Sequence, residues 1–164
     1  GRNIGGYLEK LEKDYTLIKK IKPIFAKEGS RTVKYEIIDN YFNFWFRFIY
    51  KYKSAIEIEN YEFVKEIVKR DFSVYSGKFL EKYFIEKLKF TNNYSNIGTY
   101  WEKANQNEID IVAINNLEKK VLIGEVKINL KKIDLEILKQ KAKKLEKELS
   151  GYEYEYLAFS LDDM

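Results

Sequence analysis

Asp110, Glu125 and Lys127 are the residues whose types and spacing could do chemistry together. They lie in Glu108–Lys127, where two alternating runs, Glu108–Asn115 and Lys120–Ile128, flank a polar Asn115-Asn116 turn. That pattern predicts a β-hairpin. Ile109, Ile111 and Ala113 fall on one face of the first strand, and Glu108, Asp110, Val112 and Ile114 on the other. On the second strand Val121, Ile123, Glu125 and Lys127 share a face. A short loop centred on Leu117-Glu118 sets Ile114 against Val121, Val112 against Ile123, Asp110 against Glu125 and Glu108 against Lys127. Opposed side chains on paired strands lie about 5 Å apart, and like charges so placed repel. Asp110 and Glu125 therefore call for something positive between them. A divalent cation with oxygen ligands meets that need, with Lys127 beside it on the same face.

Composition narrows the chemistry further. The 164 residues contain no cysteine and no histidine, which removes thiol nucleophiles, disulfides, Ser-His triads and most zinc enzymes. Carboxylates, lysine, tyrosine and a hard metal ion remain. Apolar residues at 45% and charged residues at 34% describe a folded chain. The formal charge of +4 permits nucleic-acid binding without requiring it. No apolar run is long enough to span a bilayer and the N-terminus is not a signal peptide, so no membrane partner and a cytoplasmic location are expected. The chain opens on Gly1 rather than Met, as a piece of a longer protein would.

Several elements must position these residues. Asn3–Lys13 carries Ile4, Tyr7, Leu8 and Leu11 at helical spacing. Two extended stretches follow, through Phe25 and from Thr32 to Ile38, around a turn whose basic tip holds Lys27 and Arg31. Helix, strand, wing and strand read as the second half of a winged helix. Asp39 is suited to cap a helix over 40–52, whose aromatic run Tyr41–Tyr50 predicts burial on all sides; an aromatic row could instead stack bases. A further helix is predicted over Glu59–Asp71, and another, capped by Ser76, over Gly77–Phe90. Tyr94–Trp101 reads as a strand interrupted by Gly98. After the hairpin, Asp134 opens a helix with Leu138, Ala142, Leu145 and Leu149 in one stripe, Gly151 ends it, and Tyr152–Phe159 is a last strand. The division expected is residues 1–56 (partial winged helix and aromatic helix), 57–76 (connecting helix) and 77–164 (an αβββαβ domain), a mixed α/β (α+β) fold.

That element order, with Ile109-Asp110 on one strand and Glu125-Val126-Lys127 on the next, resembles the PD-(D/E)XK nuclease superfamily, the restriction-endonuclease-like fold. Ile109 stands where the motif has proline. A wider resemblance rests on Tyr7-Leu8-Glu9, Ile21-Lys22-Pro23-Ile24-Phe25, Ser30-Arg31 and Asp39-Asn40-Tyr41-Phe42 with Phe44-Trp45-Phe46-Arg47-Phe48. These are similar to the C-terminal region of archaeal AAA-type ATPases with a DEXX box. There a nucleotide-binding domain precedes a winged helix and a nuclease-like domain. No G-x-x-x-x-G-K-[ST] loop occurs here, so the chain has no P-loop for ATP and no cofactor-binding residues besides metal ligands are expected.

The resemblance implies a Mg²⁺-dependent (or Mn²⁺-dependent) nuclease acting on DNA. Asp110 and Glu125 would be metal ligands, joined by the carbonyl of Val126. Lys127 would orient the attacking water or stabilise the transition state, and Glu81, in Gly77-x-x-x-Glu81, would be an added catalytic acid. The other reading of Glu81 is a solvated surface residue. Lys27 and Arg31 are the candidate nucleic-acid contacts, although such a wing can equally pack on the ATPase domain, a partner in the same or a longer chain. The Lys131–Lys147 lysines, interleaved with acids, read as an exposed helix face. A catalytically silent DNA-binding or regulatory module, or a purely structural docking element, are the competing functions.

Overall fold

The computed structural model describes residues 4–102 and 107–164. They form two compact units, one of residues 4–22 and 28–72 and the other of Pro23–Lys27 and the described residues from Ser73 to Met164. The architecture is mixed α/β, with a two-stranded and a four-stranded sheet.

In the first unit α1 (Ile4–Lys13) precedes an antiparallel pair, β1 (Ile18–Ile21) and β2 (Lys34–Ile37), as the helix-and-ribbon pattern predicts. The Asp39 carboxylate accepts from the Phe42 amide at 2.9 Å and so caps α2 (Asn40–Phe44). Beyond α2 the chain widens into a π turn over Trp45–Ile49 and tightens into a 3-10 turn over Tyr50–Tyr52 before α3 (Lys53–Glu57). The aromatic run is not buried on all sides. Phe48 is the residue of Tyr41–Tyr50 that reaches the interior, while Tyr41 is 65% exposed and Tyr50 56%. A unit this small has too little interior for so many rings. They pack on one another in i, i+4 rows instead, with Tyr41 stacked on Trp45 at 6.1 Å and Phe44 against Phe48 at 5.0 Å.

The two helices predicted over 59–90 are one, α4 (Tyr61–Phe90). Ser76 is not a cap: its hydroxyl donates to the Ser73 carbonyl inside the helix. Gly77 does not break α4 either. A mid-helix glycine costs about 1 kcal/mol relative to alanine. The burial of Leu80 and Phe84 immediately beyond it contributes about 1.5–3 kcal/mol each and outweighs that cost.

In the second unit β3 (Asn96–Tyr100), β4 (Ile109–Asn115), β5 (Lys120–Val126) and β6 (Glu153–Phe159) form a sheet in that order. β3, β4 and β5 are antiparallel neighbours, and β6 runs parallel to β5 after α5 (Leu135–Glu148). The αβββαβ order is therefore present over 61–159. The hairpin register is the one the alternation dictates, with Ile114 facing Val121 and Val112 facing Ile123. The Asn115 side chain accepts from the Leu117 and Glu118 amides at 3.0 and 2.9 Å, and Lys119 takes a positive φ of 57° to close the turn. Val112, Ile114, Val121 and Ile123 pack with Leu138, Ala142 and Leu145 of α5. Ile111, Ala113, Leu122 and Val126 pack with Leu80 and Phe84 of α4. Both faces of the hairpin are thus covered, and both strands are buried nearly end to end.

Candidate active site

The sheet departs from regularity where the acid sits. Gly98 faces Val112 and Tyr100 faces Ile109, so two steps along β3 match three along β4. The extra residue on β4 is a bulge spanning Ile109–Val112. One consequence corrects the alternation read from sequence. Ile109 packs with Val112 and Ile114, not with Ile111 and Ala113. Asp110 stands in this irregular stretch. Its carboxylate accepts from the Val126 amide of β5 at 2.8 Å, doing the work a backbone carbonyl does in a regular ladder.

The positive partner between the two acids is Lys127. Its ammonium lies 2.8 Å from Glu125 and 3.3 Å from Asp110, so one cation spans both carboxylates. A second ammonium, Lys141 of α5, reaches Glu125 at 3.3 Å. Asp110 and Glu125 are both nearly buried. Burial raises the Asp110 carboxyl above its usual range, against the Val126 amide bond, and the nearby Glu125 charge raises it further. For Lys127 burial acts to lower the ammonium, but the Glu125 and Asp110 carboxylates outweigh it and leave it raised. Lys127 therefore stays charged across neutral pH.

Glu81 joins this group from α4. Burial, followed by the Asp110 charge, pushes its carboxyl up to about 7. It lines a groove of about 370 Å³ together with Val126 and Lys127. Asp110, Glu125, Lys127 and Glu81, picked out in the sequence, are thus one electrostatic cluster. Val126 is beside them, buried, with its amide committed to Asp110. Lys27 and Arg31 are both exposed and belong to different units: Lys27 ends the Pro23–Lys27 segment, whose Ile24 amide donates to Thr99 at 2.8 Å, and Arg31 lies in the other unit.

Lys141 is the residue that sequence reasoning passed over, grouped there with solvated lysines. Its signal was present: it adjoins Ala142 and follows Leu138 by three, which places it at the border of the apolar stripe of α5. Lys139, facing away, pairs with Glu136 at 2.6 Å as a surface lysine does.

The donor set suits a hard cation. Two carboxylates close enough to share one ammonium offer oxygen ligands, and Mg²⁺ needs only one or two carboxylates because it keeps several waters. Among the described residues no group of three or more acidic, histidine or cysteine side chains is gathered as a metal cage. No helix among them is long and apolar enough to cross a membrane.

An uncharacterized protein of Methanocaldococcus jannaschii is 34% identical to this chain over 117 residues, which cover 67% of the chain and 26% of that relative. The chain thus spans about a quarter of the length of the curated relative it matches. No solved structure matches. A family model matches residues 45–145, a stretch holding Glu81, Asp110, Glu125, Lys127 and Lys141. The chain belongs to DUF234, a family of archaeal and bacterial proteins of unknown function.

Proposed function

We propose that this chain carries a Mg²⁺-dependent (or Mn²⁺-dependent) phosphodiesterase site of the PD-(D/E)XK kind that acts on DNA, in the C-terminal part of an archaeal ATPase. The observation that carries the reading is Lys127 spanning Asp110 and Glu125 beside a bulged strand. Asp110 and Glu125, with the Val126 carbonyl, would hold the metal. When bound, the ion supplies an activated water and offsets charge developing on the phosphate.

The chain's own groups do the rest. Lys127, held protonated by its two acids, donates to a phosphate or water oxygen and stabilises negative charge as it grows. It is a cation in the reaction rather than a base. The Val126 amide fixes the Asp110 carboxylate through one oxygen, and the other would be the metal ligand. Lys141 holds Glu125 from the α5 side. Glu81, its carboxyl raised to about 7 by burial and the Asp110 charge, would accept a proton in the reaction.

Incubation of supercoiled and linear DNA with Mg²⁺ or Mn²⁺ tests the reading, with Asp110→Asn as control. Cutting that disappears in the variant supports it. Metal-dependent cutting that survives the substitution overturns it. A second reading, a silent DNA-binding or regulatory module, draws on the same cluster: Lys127 and Lys141 together already neutralise both acids. Salt-dependent DNA binding with no cleavage on any substrate would favour it.

A further inference from the structure

We propose that the groove beside Lys127 is the track of the DNA backbone, with Lys78 and Lys132 each neutralising one phosphate. The proposal rests on the phosphodiesterase reading and assigns to that site its substrate contacts. The groove lies within the second unit, and α4 contributes Ser73, Gly77, Lys78 and Glu81 to its lining; Lys127, Asn129 and Lys132 face them as polar groups from the other wall.

What sets these lysines apart is that they share one groove with Lys127, and two observations bear on them. Four helix lysines are neutralised by a glutamate three residues before them: Lys65 by Glu62, Lys69 by Glu66, Lys89 by Glu86 and Lys139 by Glu136, all at 2.6–2.8 Å. Among the described residues Lys78 and Lys132 have no ion-pair partner within 4 Å, and both are exposed. Lys78 and Lys132 therefore share one concavity with the charged Lys127, three cations against the single acid Glu81, which Lys78 partly offsets, and a linear polyanion gains most there. Second, the wall between them is open and ordered. A Cβ added at Gly77 would meet nothing within 4 Å, so α4 presents bare backbone to the groove. On the opposite side the Asn129 side chain accepts from the Lys131 amide at 3.0 Å and fixes the 3-10 turn (Leu130–Lys132) that carries Lys132. A phosphate chain lying between Lys78 and Lys132 passes Lys127, which brings a scissile bond to Asp110 and Glu125.

The test is fluorescence anisotropy of a short labelled DNA duplex in EDTA, across a range of salt, so that binding is read without turnover. Each lysine that neutralises a phosphate adds about 0.9 to the salt slope, which is about fivefold in affinity near ~0.15 M salt. Lys78→Ala with Lys132→Ala should lower the slope by about two phosphate contacts and weaken binding about 25-fold. Gly77→Glu, which removes no contact and improves helix propensity, should also weaken binding several-fold. Lys89→Ala, on the same helix but paired with Glu86, should bind as wild type. Wild-type affinity in both groove variants, or no DNA binding by the wild type, overturns the proposal. Groove-dependent binding with no cleavage sinks the phosphodiesterase reading and leaves the track. Cleavage that needs Asp110 but not Lys78 or Lys132 does the reverse.

Discussion

The Val126 amide donates to the Asp110 carboxylate at 2.8 Å, just beyond the Ile111–Gly124 pair where the regular β4–β5 register ends. The fold and the proposed chemistry therefore share one side chain. Asp110→Ala leaves a buried amide unpaired, at a cost of about 1–3 kcal/mol. Asp110→Asn keeps an acceptor oxygen in place. Thermal unfolding should show the alanine variant clearly destabilised and the asparagine variant close to wild type, with cleavage absent in both. Equal stability of the two variants would mean the amide bond has no structural weight.

Lys127 compensates two acids, so removing it should expose their repulsion. Lys127→Met is expected to lose roughly 1–3 kcal/mol at pH 7, discounted from the buried-pair range because the lysine is partly exposed. Millimolar Mg²⁺ should restore most of that loss by taking the ammonium's place between the carboxylates. Differential scanning fluorimetry with and without Mg²⁺ reads the effect. A variant that Mg²⁺ does not stabilise would argue against Asp110 and Glu125 as metal ligands.

Glu81 provides a pH signature. Its folded value of about 7 lies above the ordinary 4.5, so the folded state disfavours its charge. The stability tied to the neutral form is complete below pH 4.5 and is lost as pH rises through 7. Glu81→Gln should therefore match wild type near pH 4 and exceed it by roughly 1–2 kcal/mol at pH 8, after allowance for solvent screening. Denaturant midpoints at the two pH values decide it, and a constant difference would place Glu81 in water.

Gly124 tests the packing behind the site. A Cβ there would approach the Phe159 ring to 2.8 Å and Ile111 to 3.1 Å, and Phe159 is itself held against Phe84 at 4.8 Å. Gly124→Ala should cost about 1–3 kcal/mol through overpacking. Because Glu125 follows directly on β5, metal affinity should fall as well. Unfolding and Mg²⁺ titration of the same variant measure both.

The hairpin was legible in sequence because its strands alternate and its loop length fixes the register, so Ile114 had to meet Val121. Asp110, Glu125 and Lys127 followed from that register. The bulge was not legible, since an added residue leaves no mark in a pattern of apolar types; Ile109 is apolar on either face. The continuity of α4 was hidden by Ser76-Gly77, a cap-like pair whose local preference yields to the packing of Leu80 and Phe84. The aromatic run from Tyr41 misled for a different reason. Helical spacing says which rings share a side, but burial depends on how much interior the surrounding residues can supply. Lys141 was lost among neighbouring lysines because charge type was weighed without its position beside Ala142.

The surplus residue on β4 makes the acid's aim a matter of counting. Deleting Ile111 would restore an even phase with β3, swinging Ile109 away from the α5 side and dragging Asp110 off the Val126 amide. None of Glu81, Asp110, Glu125 and Lys127 need change for the cluster to come apart. The same hairpin can therefore persist as a sound scaffold in a chain that has lost its proposed reactive corner by a single codon.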